Sequence, residues 1–174
     1  MKKVELEKTY LLKKLPKRIK DCDFCEIIDI YIPTAKEHPI LRIRKKANNF
    51  EITKKEPIEK KDSSEQSENT VVLSKEEFNE LFSNIKGKRL RKKRYYYKTK
   101  GRIAEIDIFL DKLKGLALVD FEFDSKKEKN NFIAPDFCLA DVTQDKFAAR
   151  GMLAGRNYSD IQKFLDKYNY QKII

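Results

Sequence analysis

The sequence has little of the chemistry on which many enzymes depend. Its 174 residues include one histidine, three cysteines and no tryptophan. Cys22 and Cys25 form a C-x-x-C pair, but neither Cys138 nor His38 supplies a second close pair, so we interpret the cysteines as free thiols and not as a zinc or redox site. A single histidine also argues against a nucleophile activated by histidine. Any chemistry is therefore expected to depend on carboxylates and cations, with or without a metal ion.

Long apolar runs are also missing. No run of about 18 apolar residues could span a bilayer, and the first residues, MKKVELE, lack the apolar stretch of a signal peptide. We therefore expect a cytoplasmic protein that does not act at a membrane.

Positive charge, by contrast, is in excess. The chain has 39 Lys and Arg against 28 Asp and Glu, for a formal charge of +11, which indicates an anionic partner such as nucleic acid, a phosphate compound or acidic lipid. Eleven Phe and eight Tyr argue against disorder and require a packed core. The length is typical of one domain, and we expect one over residues 1–174.

Apolar residues alternate with polar ones along most of the chain, which predicts strands. We place eight of them, over residues 3–12, 25–32, 39–46, 49–55, 67–73, 89–98, 102–110 and 116–124. Because closure removes exposed edges, eight mostly sequential strands predict an α+β protein with an eight-stranded antiparallel closed β-barrel and helices packed outside. The polar stretch 56–69 is interpreted as a link, with a mobile loop at about 56–67.

Three segments have helical spacing instead. The first follows Ser74, which with Glu77 makes a capping box, and it ends at Gly87. The second starts at Thr143, and the third has Ser159 as its N-cap. We expect the first and third to cover the apolar outer face of the barrel.

The charges within six strands are spaced two residues apart and therefore share a face. Three strands carry acidic pairs and three carry mainly basic groups. The acidic pairs are Glu5 and Glu7, Glu105 and Asp107, and Glu122 and Asp124; the basic sets are Arg42 and Arg44, Lys55 beside Glu51 and Thr53, and Lys92 and Arg94. A solvated face explains alternation, but it normally mixes its charges. Segregation by sign favours an inward face, where each ion needs a counterion, a metal or a ligand.

A polyphosphate with a divalent cation meets that requirement. Arginine and lysine bind phosphate oxygens, and Mg²⁺ or Mn²⁺ takes carboxylate oxygens and commonly bridges them to substrate phosphates. The residues therefore favour a triphosphate or polyphosphate ligand with Mg²⁺ or Mn²⁺ as the cofactor.

Seven segments together resemble the CYTH domain family, also called triphosphate tunnel metalloenzymes, which includes class IV adenylyl cyclases, thiamine triphosphatases and inorganic tripolyphosphatases. In chain order they are ELEKTYLL, LRIR, EITKK, ENTVVL, RKKRYYY, AEIDIFLDKLKGLALVDFEF and PDFCLADVTQDKFAARGMLAG. The resemblance implies a single CYTH domain over 1–174 and a role for each matching residue. Metal binding is implied for Glu5, Glu7, Glu122 and Asp124, phosphate binding for Arg42, Arg44, Lys55, Lys92 and Arg94, and capping of the far phosphate for Lys146 and Arg150. Glu105 and Asp107 match carboxylates that assist a metal or orient water.

One departure from the family pattern concerns the N-terminal E-x-E-x-K signature. Its lysine falls at Thr9, which can donate a hydrogen bond but supplies no charge, and Lys8 has the wrong parity to replace it unless the strand bulges. Similarly, Lys54 competes with Lys55, but parity with Thr53 favours Lys55.

The function predicted on this basis is metal-dependent hydrolysis of inorganic tripolyphosphate or of an organic or nucleoside triphosphate, by a monomer or homodimer. One alternative is an adenylyl cyclase that makes cyclic AMP from ATP. Another is a non-catalytic module that binds polyphosphate, or nucleic acid through the basic stretch KGKRLRKKRYYYKTKGR. Nucleic acid is the less favoured partner, since Lys92 and Arg94 of that stretch belong to the inward face.

Overall fold

The computed structural model describes residues 2–59 and 62–173, which form one large antiparallel sheet and several short helices. The strands are β1 (Lys2–Leu12), β2 (Phe24–Ile32), β3 (Leu41–Lys46), β4 (Asn49–Glu59), β5 (Asp62–Leu73), β6 (Lys88–Thr99), β7 (Arg102–Phe109), β8 (Ala117–Phe123) and β9 (Cys138–Asp141). Their order is β5-β4-β3-β2-β6-β7-β8-β1-β9, and β5 also pairs with β1. The first eight strands therefore close into the predicted barrel, and β9 is added at β1.

The expectation of a loop over residues 56–67 is wrong for residues 56–59 and 62–67, which lie in strands; residues 60 and 61 of that range lie outside the described residues. β4 continues to Glu59 and β5 begins at Asp62, with Glu59 opposite Asp62 in the ladder. The polar residues of β5 pair on their other edge with β1, where Leu6 lies opposite Glu65. This pairing closes the barrel, so tertiary hydrogen bonding overrides the low strand propensity of the segment.

The helices differ from the sequence prediction mainly at their ends. Helix α1 (Lys75–Asn84) has the predicted capping box at Ser74 but ends at Ile85, before Gly87. Helix α2 (Lys126–Asn130) is additional to the prediction. The third pattern forms α4 (Tyr158–Asp166), whose N-cap is Asn157 and not Ser159, because Asn157 and Asp160 make its capping box.

Helix α3 (Arg150–Leu153) also begins later than expected. It follows a short 3₁₀ turn over residues 146–148, so the pattern that starts at Thr143 gives two short turns of helix instead of one continuous helix. No helix in the two described ranges is long and apolar enough to cross a membrane.

Two apolar cores flank the barrel wall. The outer core covers the outward face of β1, β7 and β8 and includes Tyr10, Ile106, Val119, Phe121 and Phe137. Helix α1 also lies outside, as predicted, and stacks Phe78 against Phe50 of β4.

The second core closes one end of the barrel. Inward-facing apolar residues at that end pack against the C-terminal plug, which we define as Val142, Phe147, Ala148, Leu153, Ala154, Ile161, Leu165 and Tyr170. Helix α4 belongs to this plug, so the expectation that it covers the outer face is wrong. Its Ile161 and Leu165 share the core with Leu11 and Leu118, which the parity of β1 and β8 directs inward.

Candidate active site

The ionic side chains meet inside the barrel because neighbouring strands pair them in register. Arg44 lies opposite Asp29, Arg94 opposite Asp107, Lys55 opposite Glu68, and Glu7 opposite Glu122. Side chains at paired positions share one face of the sheet, so these charges all lie on the lumen side. The deepest of them are shielded from water: Lys92 is 1% exposed and Asp107 is 0% exposed.

Asp107 is the centre of a deep cluster. Its Oδ2 lies 2.5 Å from Lys92 Nζ, 2.8 Å from Arg94 Nη2 and 3.2 Å from Arg150 Nη2. Arg94 Nε donates to Asp107 Oδ1 at 2.6 Å, and Arg94 Nη1 also contacts Glu105. One carboxylate therefore holds three cations, and the parity of β6 and β7 had predicted two of them on the same face.

Asp120 completes this deep cluster, and sequence reasoning missed it. Its Oδ2 accepts from Arg150 Nη2 at 2.5 Å and from Arg94 Nη2 at 3.3 Å, and its Oδ1 accepts from the Thr9 hydroxyl at 2.7 Å. Asp120 has the same strand parity as Glu122, so alternation carried the signal. Arg150 comes from helix α3 and reaches the lumen through the plug, as the resemblance implied for a capping cation.

A second buried pair joins β2 and β3. Arg44 Nε donates to Asp29 Oδ1 at 2.7 Å and Arg44 Nη2 to Asp29 Oδ2 at 3.0 Å, a bidentate arrangement that fixes the guanidinium plane. Asp29 was also missed. A lone acid in the otherwise apolar run EIIDIYI was its signal, since a charge in a buried strand requires a partner.

Toward the end of the barrel away from the plug, which we call the open end because its charged side chains are the more exposed, lies a second group of ions. Lys55 Nζ is 2.9 Å from Glu5 Oε2 and 2.9 Å from Glu7 Oε2, so two carboxylates converge on one cation. Arg42 Nη2 is 3.5 Å from Glu68 Oε2. The buried Arg42 Nε makes no hydrogen bond within the described residues, which leaves a donor for a ligand.

These surroundings shift the proton affinities in opposite directions. Burial, followed by the charge of Arg94, lowers the pKa of Lys92 to about 7 despite the attraction of Asp107. Burial opposes ionisation of Asp107, but Arg94 and Lys92 outweigh it and hold its pKa well below the usual range. Burial also disfavours the charged form of Lys55, yet Glu7 and Glu5 raise its pKa to about 12. Asp107 is therefore anionic at neutral pH, and Lys92 loses its proton more easily than Lys55.

Several predicted residues lie outside these two groups. Lys146 is exposed. Burial and then the charge of Lys146 lower the pKa of His38, which lies away from the lumen. Asp124 is exposed just beyond the end of β8. Glu122 is also exposed, but it lies opposite Glu7 in the β1–β8 ladder and therefore beside the second group. Lys54 pairs with Glu56 at 3.2 Å on the other face of β4, in agreement with the parity argument for Lys55.

The donor set fits a divalent cation that is shared with a ligand. No group of three or more His, Cys, Asp or Glu residues is spaced to hold a metal in the part of the chain that the structure describes. Glu5 and Glu7 nevertheless converge on one cationic atom, Lys55 Nζ, and Glu122 lies across the ladder from Glu7. Mg²⁺ commonly uses one or two carboxylates together with substrate phosphates, so this set is sufficient in number and in oxygen chemistry.

Known proteins share this architecture. An inorganic triphosphatase of Nitrosomonas europaea is 28% identical over 117 residues, which cover 67% of this chain and 75% of that protein. A solved structure of an inorganic triphosphatase matches with a TM-score of 0.64 and 26% identity, over 87% of this chain and 95% of that one. A putative adenylate cyclase from Bacillus halodurans shares the fold at 17% identity, with a TM-score of 0.57 over 99% of this chain and 94% of that one.

A family model matches the part of the chain that forms the barrel. The model of the CYTH domain matches residues 2–137, a span that includes strands β1 to β8 and every ionic lumen residue described above except Arg150. The closed barrel and the paired charges in its lumen agree with this match. The chain therefore belongs to the CYTH domain family.

Proposed function

We propose that the protein is a metal-dependent triphosphatase that hydrolyses inorganic tripolyphosphate or an organic or nucleoside triphosphate, with Mg²⁺ or Mn²⁺ as the cofactor. The observation that carries the proposal is the convergence of six cations in one closed lumen. They are Arg42, Arg44, Lys55, Lys92, Arg94 and Arg150. The inorganic triphosphatase relative supports the same substrate class.

When a triphosphate binds, its phosphate oxygens replace carboxylates as partners of the lumen cations. Each of these cations lies within 3.5 Å of a carboxylate, so phosphate oxygens must compete with side chains for them. A cation 4 Å from a phosphate oxygen interacts by about 4 kcal/mol at an effective dielectric constant near 20, before desolvation is subtracted. The partnerless Nε of Arg42 can bind phosphate without giving up a hydrogen bond.

The carboxylates near the open end supply the complementary charge. Glu5, Glu7 and Glu122 would hold the metal, which when bound neutralises phosphate charge and stabilises the transferring phosphoryl group. Lys55, which occupies the point where Glu5 and Glu7 converge, would then be released toward the phosphates. Metal and substrate therefore bind best together.

Glu105 is the better candidate of the two predicted carboxylates for orienting water. Asp107 is fully buried, and its pKa is held well below the usual range by Arg94 and Lys92, so it is a weak base. Glu105 contacts Arg94 and is only partly buried. A water oriented by Glu105 would attack the terminal phosphorus in line with the P–O bond to the rest of the chain, which breaks. The water oxygen ends in orthophosphate, the remaining diphosphate leaves with the bridging oxygen, and the water proton passes to Glu105 or to solvent.

The test is phosphate release from tripolyphosphate, ATP, GTP and thiamine triphosphate, with Mg²⁺, Mn²⁺ or a chelator. Glu5→Gln and Glu122→Gln are expected to abolish turnover, because each removes a metal-binding charge, while circular dichroism shows a folded protein. The matched control is Glu56→Gln, an exposed partner of Lys54 on the other face of β4, which is expected to retain wild-type activity. Full activity in either site variant, or full activity with chelator, would refute the proposal.

Product analysis tests the remaining alternatives in the same assay. A cyclase would convert ATP into cyclic AMP and pyrophosphate, whereas the proposed hydrolase releases orthophosphate. Stabilisation by tripolyphosphate without any product would indicate a binding module.

A further inference from the structure

The ion pairs of the lumen do not account for the positive charge of the chain. The six lumen cations are paired with eight carboxylates, which are Glu5, Glu7, Asp29, Glu51, Glu68, Glu105, Asp107 and Asp120. This set is therefore negative overall. Since the whole chain carries a formal charge of +11, the residues outside the set are more positive still. The positive excess of the protein consequently lies outside the lumen.

One part of that excess lies on the outer face of β6. The outward residues of this strand alternate with the inward Lys92 and Arg94, and neighbouring strands add two side chains to the same face. We define the outer stripe as Phe24, Lys45, Arg91, Lys93, Tyr95 and Tyr97. Phe24 lies opposite Tyr95, and Ile28 of β2 pairs with both Lys45 and Arg91, so these side chains form adjacent rows.

Phe24 is an accessible ring beside a cation. It is 55% exposed, and its centroid lies 5.5 Å from that of Tyr95. Lys93 Nζ lies 3.7 Å from the centroid of Phe24 and 5.1 Å from that of Tyr95. Such contacts between an ammonium and a ring are attractive, but an exposed lysine remains available to an anion. The outer stripe therefore presents an apolar ring and a mobile positive charge side by side.

The loop between β1 and β2 adds further cations to this surface. Backbone hydrogen bonds hold the loop at both ends, because Lys13 N donates to Phe137 O at 2.7 Å and Tyr96 N donates to Asp23 O at 3.0 Å. Phe137 also packs edge-on against Tyr97, with centroids 5.7 Å apart. Five lysines of the loop and the outer stripe have no carboxylate oxygen within 4.0 Å among the residues described: Lys13, Lys17, Lys20, Lys45 and Lys93.

This combination of groups fits single-stranded nucleic acid. Lysines without a carboxylate partner can neutralise backbone phosphates, and an exposed aromatic ring can stack on a base of any identity. In a duplex the bases stack on one another, so Phe24 is accessible only to an unpaired base. From Arg91 to Tyr97 the outer stripe extends about 20 Å, at about 3.3 Å per residue. Arg91 itself is held by Glu26 at 2.6 Å and is less available.

We propose that the outer stripe and the loop lysines bind single-stranded RNA or DNA, with a base on Phe24 and phosphates at Lys45, Lys93 and the loop. This activity is additional to the proposed triphosphatase function and uses none of the lumen residues. The inward direction of Lys92 and Arg94 does not oppose it, because the alternate residues of β6 face outward. Binding of this kind tolerates any base sequence and weakens with salt.

The test is fluorescence anisotropy with labelled oligouridine and oligothymidine of about 20 nucleotides, a length that covers common single-strand site sizes. Both carry a 5′-hydroxyl and therefore present no terminal phosphate to the lumen. We expect binding at low salt, with log K falling against log salt at a slope of about −2 or steeper if three lysines contact phosphates. The RNA and DNA strands show which of the two sugars is preferred.

Variants of the outer stripe separate stacking from charge. We expect Phe24→Ala to weaken binding at least about fivefold, since the loss of one stacked base has an effect of that order or more. Phe24→Tyr keeps a ring and should bind as the wild type does. Lys93→Gln should make the salt slope shallower by about 0.7, which corresponds to one phosphate contact.

The C-terminal plug offers a matched control. Lys167 Nζ lies 5.4 Å from the centroid of Phe164, which is 37% exposed, so helix α4 carries a similar pair at a different place. Phe164→Ala and Lys167→Gln should leave the affinity for both oligonucleotides unchanged. Thermal melts establish that each variant is folded.

Several results would overturn the inference. They are no binding at low salt, equal affinity for a duplex of the same length, and unchanged affinity in both Phe24→Ala and Lys93→Gln. Displacement by tripolyphosphate at low micromolar concentration would place the oligonucleotide in the lumen instead. Equal competition by polyglutamate or by phosphatidylserine vesicles at the same charge would indicate an acidic protein or a membrane as the partner. All of these results leave the triphosphatase proposal intact, because phosphate release tests it separately.

Discussion

Thr9, which falls at the lysine of the E-x-E-x-K signature that the first strand resembles, holds a buried carboxylate in place. Its hydroxyl donates to Asp120 Oδ1, while the other oxygen of Asp120 holds Arg150 at 2.5 Å. The side chain therefore acts on the lumen indirectly, by fixing the carboxylate that positions a cation. A lysine at residue 9 would place a further positive charge beside Arg94 and Arg150. The smaller, uncharged hydroxyl is therefore compatible with a cluster in which helix α3 already supplies Arg150.

Replacing Thr9 by valine preserves its shape and removes this hydrogen bond. Because Asp120 is buried and charged, we expect Thr9→Val to lower the free energy of unfolding by about 1–3 kcal/mol and to raise KM for tripolyphosphate. Urea denaturation and steady-state kinetics measure the two effects. Thr9→Ser keeps the hydroxyl and is the control; equal losses in the serine and valine variants would contradict this role.

The pair formed by Asp29 and Arg44 should make stability depend on acid pH. Burial opposes ionisation of Asp29, but Arg44 outweighs it and lowers the pKa from 3.8 to about 2. A carboxyl whose pKa is lower in the folded state stabilises the fold above pH 3.8, and this contribution is lost as the pH falls toward 2. Its size is on the order of 2 kcal/mol.

A double variant, Asp29→Leu with Arg44→Met, removes both charges of the pair. Glu51, which lies 3.7 Å from Arg44 Nη1, keeps its charge but is partly exposed to water. We expect its unfolding free energy to fall less than that of the wild type between pH 5 and pH 2, by roughly 2 kcal/mol. Urea titrations at each pH measure the difference. Parallel pH curves for the two proteins would show that the pair contributes nothing to acid stability.

At the scale of single residues, the sequence was sufficient for most paired charges but not for Asp124, which lies beyond the end of β8. Alternation placed Arg94 and Asp107 on one face, and the structure brings them to 2.6 Å. Asp29 is a single acid among apolar neighbours, and Asp120 has the parity of Glu122; the pattern marks both as inward, but their partners come from other strands or from helix α3. Such contacts depend on register and closure, which one strand considered alone does not encode.

At the scale of elements, the β4–β5 hairpin shows how contacts can order a polar segment. Lys129 of helix α2 is 5% exposed, and its Nζ donates to Ser64 Oγ at 2.6 Å and to Glu65 Oε1 at 3.0 Å. Gln144 Nε2 also donates to Asp62 Oδ1 at 2.9 Å. These contacts fasten the start of β5 to the outside of the barrel, and none is visible in local propensity, which explains why a loop was expected there.

Lys129→Met tests this fastening, since methionine keeps the length of the side chain and removes its charge. We expect faster amide hydrogen exchange in residues 62–66 and earlier proteolysis of the hairpin, with the remaining strands unchanged. Lys127→Met, on the exposed side of the same helix, is the control and should match the wild type. Unchanged exchange in the Lys129 variant would show that pairing with β1 alone orders the segment.

At the scale of the whole molecule, ligand and metal should stabilise the fold jointly. A ligand at a hundred times its dissociation constant adds about 2.7 kcal/mol to the free energy of unfolding. We expect tripolyphosphate with Mg²⁺ to give a shift of this size and tripolyphosphate with chelator to give a smaller one. Without metal, the carboxylates of the lumen keep their charge and repel the ligand. Thermal melts at fixed protein concentration measure the two shifts. Equal shifts with Mg²⁺ and with chelator would argue against a metal.

The general architecture was accessible from sequence because closure is a property of strand number and alternation. Eight strands and an inward ionic face followed from the pattern. The position of the plug did not follow from the pattern, because its residues have ordinary helical spacing. Only the assembled structure shows that Ile161 and Leu165 pack on the inward-facing Leu11 and Leu118. Alternation distinguishes the two faces of a strand, whereas it says nothing about which end of a barrel a later helix will occupy.

Strand β1 is paired with other strands of the same chain on both of its sides. On one side it pairs with β8 from Leu6 to Leu11. On the other side it pairs first with β5 and then, from Tyr10, with β9, while the Thr143 hydroxyl accepts from Thr9 N between them. Where neighbouring strands already occupy both sides, the backbone offers no template for intermolecular sheet growth. The short final strand covers the stretch from Tyr10 that β5 leaves open, so its contribution to solubility does not depend on any chemistry in the lumen.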